Sequence, residues 1–95
     1  MNYVLEYEHR VVCFDIPRLD VKSRDLIKKS IERKLLSSPE VFGKPLRKSL
    51  KGYRVLRVKN FRVVFKIEKN LVKIFAIKKR SEIYKKNTWS NFPKS

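Results

Sequence analysis

Three runs of strand-forming residues, 53–58, 61–67 and 71–77, follow one another with only Lys59-Asn60 and Glu68-Lys69-Asn70 between them. A parallel crossover needs a dozen or more residues, so connections this short force the three runs into antiparallel hairpins. The middle run alternates cleanly. Phe61, Val63, Phe65 and Ile67 share one face, and Arg62, Val64 and Lys66 share the other. The first face must be covered by helices. The second offers Arg62 and Lys66 to a partner.

The residues before the meander can supply that cover. Tyr3-Val4-Leu5-Glu6-Tyr7 alternates and predicts a first strand. Residues 8–16 predict a short helix with Val12 and Ile16 on one face, limited by Pro17. Asp20 or Ser23 caps a longer helix reaching about Ser37. In it Ile27, Ile31 and Leu35 recur every four residues as a buried stripe, under an outer face of Lys28, Lys29, Glu32 and Arg33. Ser37-Ser38-Pro39 ends that helix, residues 42–46 read as a loop, and Gly52 marks entry to the sheet. After Ile77 come Lys78-Lys79-Arg80 and a final helical turn over 81–84. The expected fold class is α+β: an N-terminal strand, two helices, then a three-stranded antiparallel meander with the helices packed on one face. One domain over 1–86 is expected, followed by a polar tail over 87–95.

Charge says what the open face is for. The 95 residues hold 25 Lys and Arg against nine Asp and Glu, a formal net charge of +16. Residues 1–20 have two basic and four acidic side chains (net −2), residues 21–52 ten and three (+7), and residues 53–95 thirteen and two (+11). A sheet with that excess is built to meet a polyanion, and nucleic acid is the leading candidate. A hydrophobic content of 42% is too high for a chain disordered by charge. No apolar run approaches the roughly 18–20 residues of a membrane span, and the N-terminus does not read as a secretory signal, so a cytoplasmic protein is expected. Cys13 is the sole cysteine and His9 the sole histidine, which excludes an internal disulfide and a cysteine-cluster metal site. Cys13 is expected to be a small buried apolar residue and His9 to be structural; no metal or other cofactor is expected.

Four segments, in order, resemble the RelE/ParE toxin family of bacterial and archaeal toxin–antitoxin systems. Pro39-Glu40-Val41-Phe42-Gly43-Lys44-Pro45-Leu46 is similar to the family's loop after the long helix. Leu50-Lys51-Gly52-Tyr53-Arg54-Val55-Leu56-Arg57-Val58 resembles its entry into the sheet, and Asn60-Phe61-Arg62-Val63-Val64-Phe65 its aromatic-Arg-hydrophobic strand. Arg80-Ser81-Glu82-Ile83-Tyr84 resembles its C-terminal signature. The resemblance implies one of two activities on one scaffold: RelE-like members cut messenger RNA on the ribosome without a metal, and ParE-like members inhibit DNA gyrase by binding. An inactive relative or a plain RNA-binding module is a third reading. Phe61 and Phe65 on the apolar face speak against a stacking platform.

Metal-free RNA cleavage needs a deprotonated 2′-hydroxyl aligned with the adjacent phosphate, a protonated leaving 5′-oxygen, and cations where the phosphorane gathers charge. Arginine suits the last role, because its guanidinium forks onto two phosphate oxygens. By resemblance, Arg57 and Arg62 match positions that stabilise the scissile phosphate. Arg80 matches the position assigned to charge stabilisation or leaving-group protonation, and Tyr84 the aromatic that orients a base. Arg54, Lys66, Lys78 and Lys79 are the expected RNA- and ribosome-binding cations. The RelE-like pattern puts two basic residues two apart on the first meander strand. Arg54 and Arg57 are three apart and face opposite ways unless a bulge intervenes, with Val55 sharing Arg57's face. That leaves the general base open among Lys66, Lys78 and Lys79. Glu82 reads as an ion-pair partner. The resemblance also implies a cognate antitoxin, acidic and partly disordered when free, together with ribosome and message as partners, and no membrane.

Overall fold

The computed structural model describes residues 3–45 and 52–83. Its centre is the meander: β3 (Tyr53–Val58), β4 (Phe61–Glu68) and β5 (Leu71–Lys79), paired antiparallel in sequence order. β1 (Val4–Tyr7) adds to the outer side of β5 in parallel, and β2 (Lys44–Pro45) to the outer side of β3, giving the order β1-β5-β4-β3-β2. The segment read as a loop over 42–46 therefore holds a two-residue edge strand. Pro45 is tolerated there because an edge position need not donate to a further strand.

The helical layer follows the expected order. A π-helical turn, α1 (Val11–Asp15), is closed by Ile16 N–H donating to the Val11 carbonyl at 2.9 Å. Its buried side chains are Val11 and Asp15, one position before the expected Val12 and Ile16 pair; Val12 is exposed. The same rotation turns Cys13 outward, against expectation, with its Sγ 3.3 Å from an exposed His9 ring nitrogen. Helix α2 (Val21–Ser30) begins after Asp20 and continues through a second π-helical turn, Ile31–Leu35. Ile27, Ile31 and Leu35 are buried, as their spacing predicts. A short helix, α3 (Pro39–Phe42), and a final one, α4 (Arg80–Ile83), complete the described chain. No helix among the described residues is long and apolar enough to cross a membrane.

Both sheet faces are packed. The larger core joins Val11, Ile27, Ile31 and Leu35 to Leu56, Val58, Val63, Phe65, Val72, Ile74 and Ile77. A smaller cluster on the opposite face holds Tyr53, Val55, Val64, Ala76 and Ile83, with Phe75 against it. The face expected to lie open is thus partly roofed by Ile83 of α4. A β-bulge makes the second cluster possible. Val64 pairs with Ala76 but Phe65 pairs with Ile74, so Phe75 is the extra residue and packs edge-on to Tyr53, with ring centroids 5.0 Å apart. A two-residue turn follows each hairpin strand, Lys59-Asn60 and Lys69-Asn70, and in each the lysine has a positive φ (51° and 58°).

The N-terminal strand is also tied to the helices. Tyr3 donates its hydroxyl to the Glu40 carboxylate, which holds the Glu40 carboxyl below its ordinary range. A carboxyl lowered in the folded state stabilises above its unfolded pKa and loses that contribution as pH falls through the folded one. Tyr3→Phe should therefore flatten the acid side of a stability–pH profile, measured by denaturant unfolding at each pH.

Candidate nucleic-acid interface

The β3–β4 turn and the C-terminal end of β5 lie at the same end of the sheet, and the basic residues concentrate there. Cross-strand pairing aligns Arg57, Arg62 and Lys78 in one row across three strands. Like charges at such spacing repel, and the fold relieves the row in two ways.

Arg62 is drawn inward. It is 4% exposed, and its Nη1 donates to the carbonyls of Lys59 and Phe61, each at 2.9 Å. The expectation that Arg62 stands open to a partner is corrected: its strand position is as read, but the turn beside it offers two carbonyls within reach. Lys78 is drawn sideways to Asp15, with Nζ 2.6 Å from Oδ1. The other Asp15 oxygen accepts the Ile77 N–H at 2.9 Å. Asp15 thereby closes the edge of β5 beyond Ile74, where pairing with β1 stops.

Asp15 was not singled out from the sequence. Its one signal is a carboxylate placed four residues after buried Val11 in an otherwise apolar run. Asp15→Ala should destabilise the fold by about 2–3 kcal/mol, because a backbone donor and a half-buried ammonium both lose their acceptor. Asp15→Asn keeps an oxygen for Ile77 and should cost about half as much. The midpoint of urea unfolding checks both.

Arg57 remains open, as do Lys59, Lys79 and Arg80: all four are exposed and have no ion-pair partner among the described residues. They surround a single turn. Lys79 pairs with Phe61 across β4 and β5, and the Arg80 N–H donates to the Asn60 carbonyl at 2.7 Å. A groove of about 550 Å³ runs between Asn60, Lys79, Arg80 and Ser81. Lys59 is a member the sequence reading missed, since a turn lysine carries no signal until the turn is placed against β5.

The other expected residues lie elsewhere. Arg54 sits on the opposite face from Arg57, because β3 pairs with β4 without a bulge. Its Nη1 donates to the carbonyls of Gly43 (2.9 Å) and Glu40 (3.3 Å), so it ends α3. Lys66 is four residues along β4 from Arg62, about 13 Å away. It lies over the Tyr53 ring and 3.6 Å from Glu68. Glu82 pairs with Arg18 at 3.7 Å, as an ion-pair partner should. A second cleft of about 300 Å³ lies between these two residues, Asp15, Phe61 and Lys79. Tyr84 and the tail over 87–95 fall outside the described residues. Among the described residues, no three His, Cys, Asp or Glu side chains gather where a metal could sit.

The family model of the ParE toxin of the type II toxin–antitoxin system parDE matches residues 14–84. The chain belongs to this toxin family. The match takes in Asp15 at the end of α1, the whole meander and the cationic end of the sheet. Among solved structures, the toxin is similar to the toxin–antitoxin complex RelBE2 of Mycobacterium tuberculosis, with a TM-score of 0.76 and 22% identity over 84% of this chain and 100% of that one. It is also similar to a mutant of the Escherichia coli toxin RelE in the free state, with a TM-score of 0.73 and 20% identity over 95% and 93% of the two chains. The archaeal RelE–RelB complex of Pyrococcus horikoshii gives a TM-score of 0.66 and 19% identity over 86% and 99%. These likenesses are of fold. No curated protein matches the chain.

Proposed function

We propose that this toxin is a ribosome-dependent endoribonuclease that cuts messenger RNA without a metal. The observation that carries the reading is the set of four open cations, Arg57, Lys59, Lys79 and Arg80, around one turn beside a groove. In the reaction the ribose 2′-oxygen attacks the adjacent phosphorus and gives up its proton to a base. The bond from phosphorus to the 5′-oxygen breaks, and that oxygen takes a proton. The products are a 2′,3′-cyclic phosphate and a 5′-hydroxyl. Arg57 and Arg80 would stabilise the phosphorane, and Tyr84 would orient a base. Arginine stays protonated near pH 7, so the proton acceptor must be another group. Among the lysines left open for that role, Lys78 is engaged by Asp15 and Lys66 lies far along β4; Lys79 lines the groove and accepts the proton only when it enters the step as a neutral amine. The ribosome supplies alignment of the message, a part of the barrier that positioning alone can lower.

A chain of this charge also needs a silencer. The partner proposed is a co-expressed acidic antitoxin whose amphipathic segment folds on binding. It would meet the basic sheet end and the exposed apolar side chains of the helical layer, among them Val12, Phe14 and Phe42. Expression of the chain alone should arrest growth, and co-expression of the adjacent open reading frame should relieve it. Binding to ribosomes should fall with salt. Neutralisation of about six phosphates gives a slope of about −4 to −5 in log affinity against log salt. A salt-independent affinity would contradict the reading.

One observation favours the gyrase-inhibitor alternative. Unbulged β3 carries a single basic side chain, Arg57, on the face it shares with Arg62, where RelE-like members carry a pair. Inhibition of DNA supercoiling by the purified toxin, with messages left intact, would decide for that alternative.

A further inference from the structure

We propose that Arg62 acts from inside the fold as a positioning residue that holds Arg80, and does not itself reach phosphate. The inference rests on the reading of Arg80 as a phosphate-binding residue and gives the strand arginine a different task from that of Arg57.

The connection is a short chain of hydrogen bonds. Arg62 as a residue is 4% exposed, and its guanidinium reaches the carbonyls of Lys59 and Phe61, both 2.9 Å from one nitrogen. Those two carbonyls bracket Asn60. The Asn60 carbonyl accepts the N–H of Arg80 at 2.7 Å, at the first residue of α4. Three bonds thus join a buried cation to the backbone that presents Arg80 at the groove.

The turn needs this support. Lys59 has a φ of 51°, a left-handed conformation that strains a residue with a Cβ and that glycine would adopt freely. No glycine stands in the turn, and the Arg62 bonds to the carbonyls of Lys59 and Phe61 brace its backbone on both sides of Asn60. A guanidinium suits the task because it is planar, permanently charged and rich in donors held in a fixed fork, whereas an ammonium is a compact point charge on a flexible stem. Ile83, fully buried three residues beyond Arg80, anchors the far end of α4. Arg80 is therefore fixed at both ends of its helix, and its side chain is left to the solvent.

The test compares Arg62→Met, which keeps length without charge or donors, and Arg62→Lys, which keeps charge, with Arg57→Ala. Amide hydrogen exchange at Arg80 is read first. Binding to a single-stranded 20-nucleotide RNA is then followed by fluorescence anisotropy over a salt series. Exchange at Arg80 should accelerate at least about tenfold in both Arg62 variants, while the salt slope of Arg62→Met stays at the wild-type value. Arg57→Ala should lower the slope by about one and leave Arg80 protected, as expected for a lost phosphate contact. Intact Arg80 protection in the Arg62 variants, with a slope lowered by about one in Arg62→Met, would overturn the proposal. If Arg62→Met fails to fold, Arg62→Lys decides through the exchange measurement. A wild-type chain that binds RNA without salt dependence would sink the RNA reading, and the exchange at Arg80 would still decide what Arg62 holds.

Discussion

Arg80→Ala and Arg57→Ala should each slow message cleavage by about 10²–10³, the usual loss when one donor to a developing oxyanion is removed. Both side chains are exposed and have no ion-pair partner among the described residues, so neither deletion removes packing. The Arg80 backbone bond to Asn60 and the buried Ile83 remain in the alanine variant, which keeps α4 in place. Unfolding midpoints should therefore match the parent while cleavage collapses. The double variant should lose less than the product of the two single losses, because both cations are proposed to act on the same phosphate. Full cleavage by either variant would remove that residue from the mechanism.

The largest effect on stability is expected at Phe65. Its ring is fully buried between the helical layer and the sheet, and Phe65→Ala should cost about 3–5 kcal/mol. Gly43 tells the same story from the other side. A Cβ at Gly43 would collide with the Phe65 ring, coming within 2.8 Å of Cε1, and would lie 3.1 Å from the Arg54 Cβ. Its φ of −94° is open to any residue, so glycine stands there for space alone. Gly43→Ala should cost about 1–3 kcal/mol through overpacking. In the Phe65→Ala background the same change should cost much less, because the colliding ring is gone and only the 3.1 Å approach to the Arg54 Cβ is left. Urea unfolding of the four proteins forms the cycle, and additive costs would show that the two residues do not compete for one space.

What could be read from the sequence was set by local pattern. The alternation of Phe61, Val63, Phe65 and Ile67 and the short turns sufficed for the meander, and the four-residue spacing of Ile27, Ile31 and Leu35 located the helix stripe. Cys13 and Val12 went wrong because α1 is a π-helical turn. Its extra residue per turn shifts the buried face to Val11 and Asp15. β2 escaped notice since two residues, one of them proline, carry no alternation. Phe75 could not be placed because the bulge in β5 breaks the period of two.

The site divided along a similar line. The exposed face of Arg57 follows from strand alternation, and so does the opposition of Arg54 to it. Two facts depend on chain segments meeting in space: the Lys78 contact with Asp15, 63 residues away, and the Arg80 bond to Asn60. The inward turn of Arg62 is local, made to carbonyls one and three residues before it, and shows only once the turn's shape is known. A cation's sequence position specifies its strand face, but a neighbouring carbonyl or carboxylate decides whether its charge is available.

The central claim is tested most directly in a purified translation system programmed with one message, with the toxin added and the 5′ ends of the RNA mapped. New 5′-hydroxyl ends should appear within translated codons, only when ribosomes are present, and should be lost in Arg57→Ala and Arg80→Ala. Intact message with translation undiminished at toxin concentrations equal to the ribosomes would contradict it.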